Sequence, residues 1–436
     1  MKPIKVGLLG LGTVGGGTLT VLKRNAAEIT RRAGREIRPV MAAVRDLEKA
    51  KIHAGSLALT DDPFVVVNHP EIDIVVEAMG GELLARELIL AAIAQGKHVV
   101  TANKALIAKH GTEIFAAAQK QGVMVAFEAA VGGGIPIIKA IREGLTANRI
   151  EWIAGIINGT TNFILTQMRD HGMDFADALK LAQEKGYAEA DPAFDVEGID
   201  AAHKLTIMSA IAFGIPMQFE HAYIEGITQL TRDDVRYAEQ LGYRIKLLGI
   251  TRRTPAGIEL RVHPALIPER RLIANVDGAM NAVLVKGDAV GVTMYYGAGA
   301  GAEPTASSIV ADLVDVTRMH TADPHNRVPH LAFQPENLSA EPILPMGEVR
   351  TGYYLRLRAR DETGVLADVT RILADSGVSI EAMIQQERQA DDKMMDIVML
   401  THQCLEKHVN AAIVKMEGLP VIAGNVVRIR LERLAG

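Results

Sequence analysis

The feature that most constrains the fold stands at the start of the chain. An apolar run over residues 4–9 leads straight into Gly10-Leu11-Gly12-Thr13-Val14-Gly15, and a helical pattern follows over about 15–32. A run without apolar–polar alternation reads as a strand buried on both faces, and such strands belong in parallel sheets covered by helices. Gly10 permits the tight turn out of the strand, Gly12 lets a ligand approach the backbone, and Gly15 lets the helix pack against the strand. The helix start, with Thr13 and Val14, then offers N–H groups and a positive dipole end to an anion. The segment reads as a cradle for the pyrophosphate of a dinucleotide; the plain alternative is a glycine-rich turn with no ligand. Lys2 and Lys5 ahead of apolar residues also suggest a secretory leader, but the regular glycines and the lack of a small-residue cleavage site favour strand and turn.

The strand–helix rhythm continues to about residue 131. Strands over 38–44, 72–77, 98–101 and 123–127 alternate with helices over 82–95 and 111–121, which predicts an α/β, Rossmann-type doubly wound parallel sheet. The second strand ends at Val44-Arg45-Asp46. An acid there receives a ribose 2′-hydroxyl, whereas arginine suits a 2′-phosphate. Arg45 leads and tilts the reading toward NADP over NAD, with a solvated surface pair as the alternative.

Between 132 and 304 the pattern changes. Helices over 175–185, 198–213 and 233–241 mix with strands over 151–157, 245–251, 258–264, 282–286 and 290–296, as in an α+β domain. A helix over 306–320, within 305–322, is expected to pack back on the first domain. Residues 323–349 hold Pro324, Pro329, Pro335, Pro342 and Pro345 and read as a linker. From 350 to 436 we expect strands over 352–360, 380–388, 394–401 and 426–431, with helices over 364–376 and 405–416. That βαββαβ order describes a small, separate ferredoxin-like module.

Composition narrows the function. A chain of 436 residues, 48% hydrophobic, is long enough for several cores. Its net charge of −5 leaves no electrostatic footprint for nucleic acid or an anionic membrane. No apolar run approaches the roughly 18–20 residues that span a bilayer. Cys404 is the one cysteine, so an intrachain disulfide and a thiolate metal cluster are both excluded, and a reducing, cytoplasmic setting fits. The histidines are scattered and lack transition-metal spacing.

The most informative segment runs Gly186-Tyr187-Ala188-Glu189-Ala190-Asp191-Pro192-Ala193-Phe194-Asp195-Val196-Glu197-Gly198-Ile199-Asp200 and continues to His203-Lys204. Gly186 and Pro192 make its first half a loop. From Gly198 the pattern is helical, which puts Asp200 and Lys204 one turn apart on one face. One reading is a solvated acidic loop with an exposed ion pair of little worth. The other is a set of carboxylates that bind a substrate ammonium beside a lysine that moves a proton. Lys104 follows the strand over 98–101, at the sheet edge where doubly wound proteins bind ligands.

This segment closely resembles the signature of homoserine dehydrogenases. Supporting motifs occur in order: Thr101-Ala102-Asn103-Lys104, Glu128-Ala129-Ala130-Val131-Gly132-Gly133-Gly134-Ile135-Pro136, Asn158-Gly159-Thr160-Thr161-Asn162 and Gly299-Ala300-Gly301. The resemblance implies an NAD(P)-dependent interconversion of L-homoserine and L-aspartate 4-semialdehyde. It makes Lys204 the acid/base, Asp200 the residue that orients it, and Lys104 a second active-site lysine near nicotinamide and substrate. Glu189 would accept the substrate ammonium, with Asp195 in support. Gly186 and Gly301 would join the cofactor site. The loop before a helix starting near Phe163 would hold a carboxylate through Thr161; the alternative is an ordinary N-cap by Thr161 or Asn162. Glu128 with the carbonyls of Val131, Gly133 and Ile135 would bind sodium, the alternative being a flexible hinge. The resemblance also makes residues 132–304 a substrate-binding and dimerisation domain, in a homodimer or homotetramer.

Asp361-Glu362-Thr363-Gly364-Val365-Leu366-Ala367-Asp368-Val369 resembles the first turn of ACT domains, which often bind amino acids. Pathway logic points to threonine as effector; a module that only dimerises is the alternative. With the dinucleotide fingerprint this early, no aspartate kinase is expected ahead of it. An aspartate-semialdehyde dehydrogenase would need a cysteine nucleophile outside the C-terminal module, where Cys404 lies. Another NAD(P)-dependent amino-acid dehydrogenase and a nucleotide-sensing ACT regulator remain as rivals.

Overall fold

The computed structural model describes residues 2–385 and 394–434. The chain divides into two compact units. One comprises residues 1–159, 200–222 and 279–341; the other comprises 160–199, 223–278 and 342–436.

The first unit is built on a six-stranded parallel sheet. Its spatial order is Ala58–Thr60, Ile37–Ala43, Ile4–Leu9, Ile74–Glu77, His98–Thr101 and Val125–Ala126. The chain therefore reverses direction of growth at its first strand, the switch point where such sheets bind ligands. The central strands are mainly apolar and almost wholly buried, with Glu77, His98 and Thr101 at their ends. Helix Ala302–Met319, distant in sequence, places Ala306, Ile309, Leu313 and Val316 in one core with Ile4, Leu8 and Leu19. The fit is close at Gly17, where a Cβ would stand 2.5 Å from the Ala302 carbonyl oxygen.

Several local details differ from the sequence reading. The first helix breaks at Asn25 into Thr13–Arg24 and Ala26–Ala33. Helices Leu47–Ala54 and Pro63–Asn68 and the strand Ala58–Thr60 escaped detection, because three to eight residues are too short for a period to show. Helix Lys104–Gln121 starts two turns earlier than expected. Asn103 caps it, accepting from Leu106 N at 3.1 Å, and Gly111 lies inside it, close against Met217. The first unit also holds an antiparallel ribbon of Ile150–Ile156, Met280–Gly287 and Gly291–Ala298. The proline-rich stretch is fastened to this unit as far as residue 341: His330 stacks on Phe115 at 4.8 Å, and Ser339 N donates to Gly214 O at 2.7 Å.

The second unit contains a long antiparallel hairpin, Tyr243–Thr254 with Gly257–Pro268. Its C-terminal part is ferredoxin-like. The sheet order is Ile422–Leu431, Arg350–Arg360, Met394–Thr401 and Ile380–Gln385, all antiparallel, with helices Val365–Asp375 and Glu406–Glu417. Residues 386–388 of the strand expected over 380–388 lie outside the described residues. The core holds Tyr353, Leu355, Leu357, Val369, Leu373 and Val409. This module is not separate. Its last strand pairs in parallel with Gly257–Pro268, matching Ala265 to Arg430 and Leu266 to Leu431. Buried Arg261 reaches across to Glu432 at 2.6 Å. An exposed strand edge carries unsatisfied N–H and C=O groups, and this pairing covers it.

Burial leaves several imidazoles uncharged. His98 is pushed down to about 3 by burial, then by His320 and Arg327, and His330 to about 4 by burial and nearby arginines. Unfolded, both titrate near the usual value of about 6.5, so below that pH the unfolded chain binds more protons. Folded-state stability is therefore lost as pH falls from about 6.5 toward 4. The midpoint of thermal unfolding should climb as pH rises from about 4 to about 6.5; a flat profile would contradict the assignment.

Candidate active site

The cofactor cradle is built by three glycines with three different jobs. Gly10 has φ +97°, which an L side chain rarely adopts. A Cβ on Gly15 would sit 2.0 Å from the Gly10 carbonyl oxygen, so the helix can start here only on glycine. A Cβ on Gly12 would meet nothing within 4 Å: the space above the turn is open. Thr13 and Val14 begin the helix, whose first N–H groups have no intrahelical acceptor. Gly301, at φ +127°, caps the helix packed beside Gly17. Arg45 is exposed just beyond the strand Ile37–Ala43. Its neighbour Asp46 caps the next helix, accepting from Lys49 N at 3.0 Å, so that carboxylate is already engaged.

A buried acid that the sequence reading left unassigned shapes the same sheet edge. Glu77 ends the strand Ile74–Glu77. Its Oε2 accepts from Thr101 Oγ1 at 2.6 Å, and its Oε1 accepts from Met79 N and Gly80 N at 3.0 and 3.1 Å. Asn103 Nδ2 donates to Gly81 O at 2.7 Å. The loop after the fourth strand is thus fixed to the start of the Lys104 helix. The available signal was a lone acid closing an apolar strand.

Lys104 is the first residue of helix Lys104–Gln121, and Asp200 and Lys204 share a face of helix Ile199–Phe213. The fold brings them onto one carboxylate. Lys104 Nζ lies 2.9 Å from Asp200 Oδ1, and Lys204 Nζ lies 2.7 Å from Asp200 Oδ2. Asn158 Nδ2 donates to the same Oδ2 at 2.8 Å, and Lys204 Nζ also donates to Ile157 O at 2.8 Å. Asp200 and Lys204 are buried, and Lys104 is half-buried. The exposed-ion-pair reading therefore fails for this pair. Burial works against the Asp200 charge, but Lys204 and then Lys104 outweigh it and hold its carboxyl well below the usual carboxylate range. Both lysine ammonium groups are oriented by fixed acceptors in a largely dry setting.

The cation motif is also buried rather than hinge-like. Both Glu128 oxygens accept backbone N–H groups, from Ile138 at 2.9 Å and Lys139 at 2.8 Å. Glu128 N donates to Asp312 Oδ2 at 2.8 Å. Burial, with Asp312 nearby, raises Glu128 to about 7, and burial raises Asp312 to about 6. The Gly133 carbonyl accepts from Ser308 Oγ at 2.6 Å, and the Ile135 carbonyl from Ile137 N at 2.8 Å. Val131 N donates back to Glu128 O at 3.3 Å.

The other sequence-predicted residues belong to the second unit. The helix expected near Phe163 starts at Gly159, so Thr161 is buried in its first turn. Asn162 is not a cap: it donates to Val276 O at 3.0 Å and accepts from buried Lys246 Nζ at 3.1 Å. Gly186, at φ +75°, ends helix Phe175–Glu184. Glu189 is exposed in the loop beyond, its carbonyl accepting from Gln183 Nε2 at 3.1 Å. Asp195 is half-buried in the short helix Ala193–Val196.

The first unit can thus seat a dinucleotide at its glycine turn and move a proton at a lysine whose charge is held in place. Those two abilities define an NAD(P)-dependent oxidoreductase. Comparison with known proteins agrees. The family profile described as "Homoserine dehydrogenase, NAD binding domain" matches residues 10–128, "Homoserine dehydrogenase" matches 136–314, and "ACT domain" matches 353–415. A homoserine dehydrogenase of Pseudomonas aeruginosa is 62% identical over 434 residues, covering 100% of both chains. The crystal structure of a homoserine dehydrogenase from Thiobacillus denitrificans superposes with a TM-score of 0.96 at 75% identity, covering 100% of this chain and 99% of that one. A hyperthermophilic archaeal homoserine dehydrogenase in complex with NADPH matches at 26% identity and a TM-score of 0.62, over 72% of this chain and 98% of that one. The chain belongs to the homoserine dehydrogenase family, whose members act on a CH–OH group with a nicotinamide cofactor. Among the described residues no helix is long and apolar enough to cross a membrane.

Asp200→Asn would leave two ammonium groups facing a neutral amide. We expect kcat to fall by about 100-fold or more while the KM for the cofactor stays near wild type. Steady-state kinetics on nicotinamide absorbance would show it, and an unchanged kcat would remove Asp200 from the site.

Proposed function

We propose that this chain interconverts L-homoserine and L-aspartate 4-semialdehyde through Lys204 as acid/base. The observation that carries the reading is the Asp200 carboxylate shared by Lys104 and Lys204. When bound, the nicotinamide cofactor supplies or accepts the hydride. In the reductive direction, negative charge grows on the aldehyde oxygen. Lys204 Nζ, oriented by Asp200 and the Ile157 carbonyl, neutralises that charge and delivers the proton. Lys104 adds positive potential at the same place. One preorganised donor of this kind is worth roughly 3 kcal/mol of barrier. In the oxidative direction Lys204 takes the hydroxyl proton back. Glu189 accepts the substrate ammonium, Asp195 supports it, and Thr161 in the first turn of its helix meets the carboxylate; family likeness supports these roles.

The residues fit a dinucleotide: the space over Gly12 is open, and the helix start lies below it. Gly10, Gly12, Thr13, Val14 and Gly15 would hold the pyrophosphate, with Gly186, Gly301 and Lys104 completing the cofactor site. Arg45 would meet a 2′-phosphate, so the chain prefers NADP; the engagement of Asp46 in a helix cap and the NADPH-bound archaeal relative support that choice. For sodium, Glu128 and the carbonyls of Val131, Gly133 and Ile135 would be hard oxygen donors beside a glycine turn, and each carbonyl has two lone pairs. The two buried acids there would both be eased by a cation.

We divide the working molecule into a dinucleotide domain (1–131 with 305–322), a substrate and dimerisation domain (132–304), a linker (323–349) and an ACT domain (350–436). The ACT domain binds threonine as feedback effector at the turn capped by Gly364, whose φ is +96°. The enzyme assembles as a homodimer or homotetramer and works in the cytoplasm.

Lys204→Ala should abolish homoserine-dependent nicotinamide reduction yet leave cofactor binding, followed by NADPH fluorescence, intact; near wild-type turnover would refute the assignment. Arg45→Ala should raise the KM for NADP about tenfold and spare NAD, as loss of a phosphate contact requires. Equal effects on both cofactors would count against a 2′-phosphate contact.

A further inference from the structure

The last strand of the ferredoxin-like module carries a fully buried arginine. Arg430 Nε and Nη2 each donate to Glu406 at 2.6 Å, which fixes the guanidinium inside the module. Its remaining contacts leave the module. Nη1 donates to Glu225 Oε2 at 2.8 Å, Nη2 donates to Tyr223 Oη at 2.9 Å, and the group lies 4.8 Å over the Tyr223 ring. Tyr223 Oη in turn donates to Glu225 Oε2 at 2.6 Å.

Glu225 is a poor place for slack. The strand Tyr223–Ile224 runs parallel to Gly257–Pro268, and Glu225 N donates to Val262 O at 2.8 Å. The next residue touches another backbone: a Cβ on Gly226 would stand 2.3 Å from Val196 O and 2.5 Å from Glu197 Cα. Ile227 N then donates to Val196 O at 2.9 Å. The segment 225–227 therefore braces the turn 193–198, which carries Asp195 and runs directly into Asp200. Glu225 is half-buried but Arg430 is fully buried, and removing the carboxylate would leave part of that buried charge uncompensated, so the clamp resists drift.

We propose that Glu225 and Arg430 are positioning residues for the reaction. Their ion pair sets residues 225–227, and through Gly226 and Ile227 sets the turn 193–198, at the placement that Asp195 needs. The regulatory module is then part of the catalytic scaffold, and a shift of its last strand is delivered to the substrate residues. The proposal rests on the role assigned above to Asp195.

The test uses the full chain with Glu225→Gln and, independently, Gly226→Ala, which pushes the same turn without touching a charge. Misplacement of a reacting group by about 1 Å costs up to 100-fold, so kcat/KM for homoserine should drop by roughly tenfold or more in both. The KM for the nicotinamide cofactor should stay near wild type while the thermal midpoint falls in both, and Glu225→Asp should recover part of the lost kcat/KM. Glu348→Gln, just before the module and at an exposed pair with its Lys407, is the control and should change nothing. Unchanged homoserine kinetics in both variants would overturn the proposal. So would cofactor and homoserine parameters failing together, since that marks a merely structural role. Failure of the functional reading would show separately, as no homoserine-dependent nicotinamide reduction by the wild-type chain. The brace is then read from amide exchange at 193–198, which Glu225→Gln must accelerate; equal exchange would overturn it.

Discussion

Asp200 is buried and yet charged, and it stays so because two lysines from different helices converge on it. A carboxylate in that position without cations would be driven toward its neutral form. Lysines so placed without the carboxylate would repel one another and lose protons to burial. Each member therefore makes the charge of the others tolerable, and the group stands or falls together. Asn158 and the Ile157 carbonyl add directional bonds, so the arrangement has a defined geometry and not merely a balanced charge. Proton transfer chemistry needs that definition, because a donor that wanders must reorganise at the moment of reaction.

The parallel sheet of the first unit serves this group and the dinucleotide turn at once. Its buried strands leave no polar side chains to spare, so the few polar residues at their ends stand out. Glu77, Thr101 and Asn103 bind one another and the loop 78–81, which makes the start of the Lys104 helix a fixed platform. The glycines act in the same sense. Gly15 and Gly17 permit two helices to approach backbones that any larger residue would hold off, and Gly12 keeps the opposite side open.

The second unit shows a similar economy with charge. Arg261 and Arg430 are both buried, each between carboxylates, and each ties the C-terminal module to the hairpin or to its neighbouring strand. Arginine suits such places because its fork matches carboxylates in two directions and it does not lose its proton. A module joined this way is not detachable without leaving charges stranded in an apolar interior. Its last strand, placed against Gly257–Pro268, is as much a part of the hairpin's sheet as of the ferredoxin-like one.

Much of this was legible in the residues alone. Strands at 4–9, 98–101 and 394–401, the glycine fingerprint, the βαββαβ order and the i,i+4 pairing of Asp200 with Lys204 all follow from local patterns, because periodicity and turn chemistry act between near neighbours. Short elements between 47 and 68 were missed, since too few residues carry no period. The early start of the Lys104 helix was masked by Gly111, whose small size answers to packing and not to a break. What only the tertiary structure decided is the company each charge keeps: Lys104 on Asp200, Asn162 on Lys246, Arg430 on Glu225. Such partners are far apart in sequence, and the energy that selects them comes from joint burial, which exists only once the chain has closed around them.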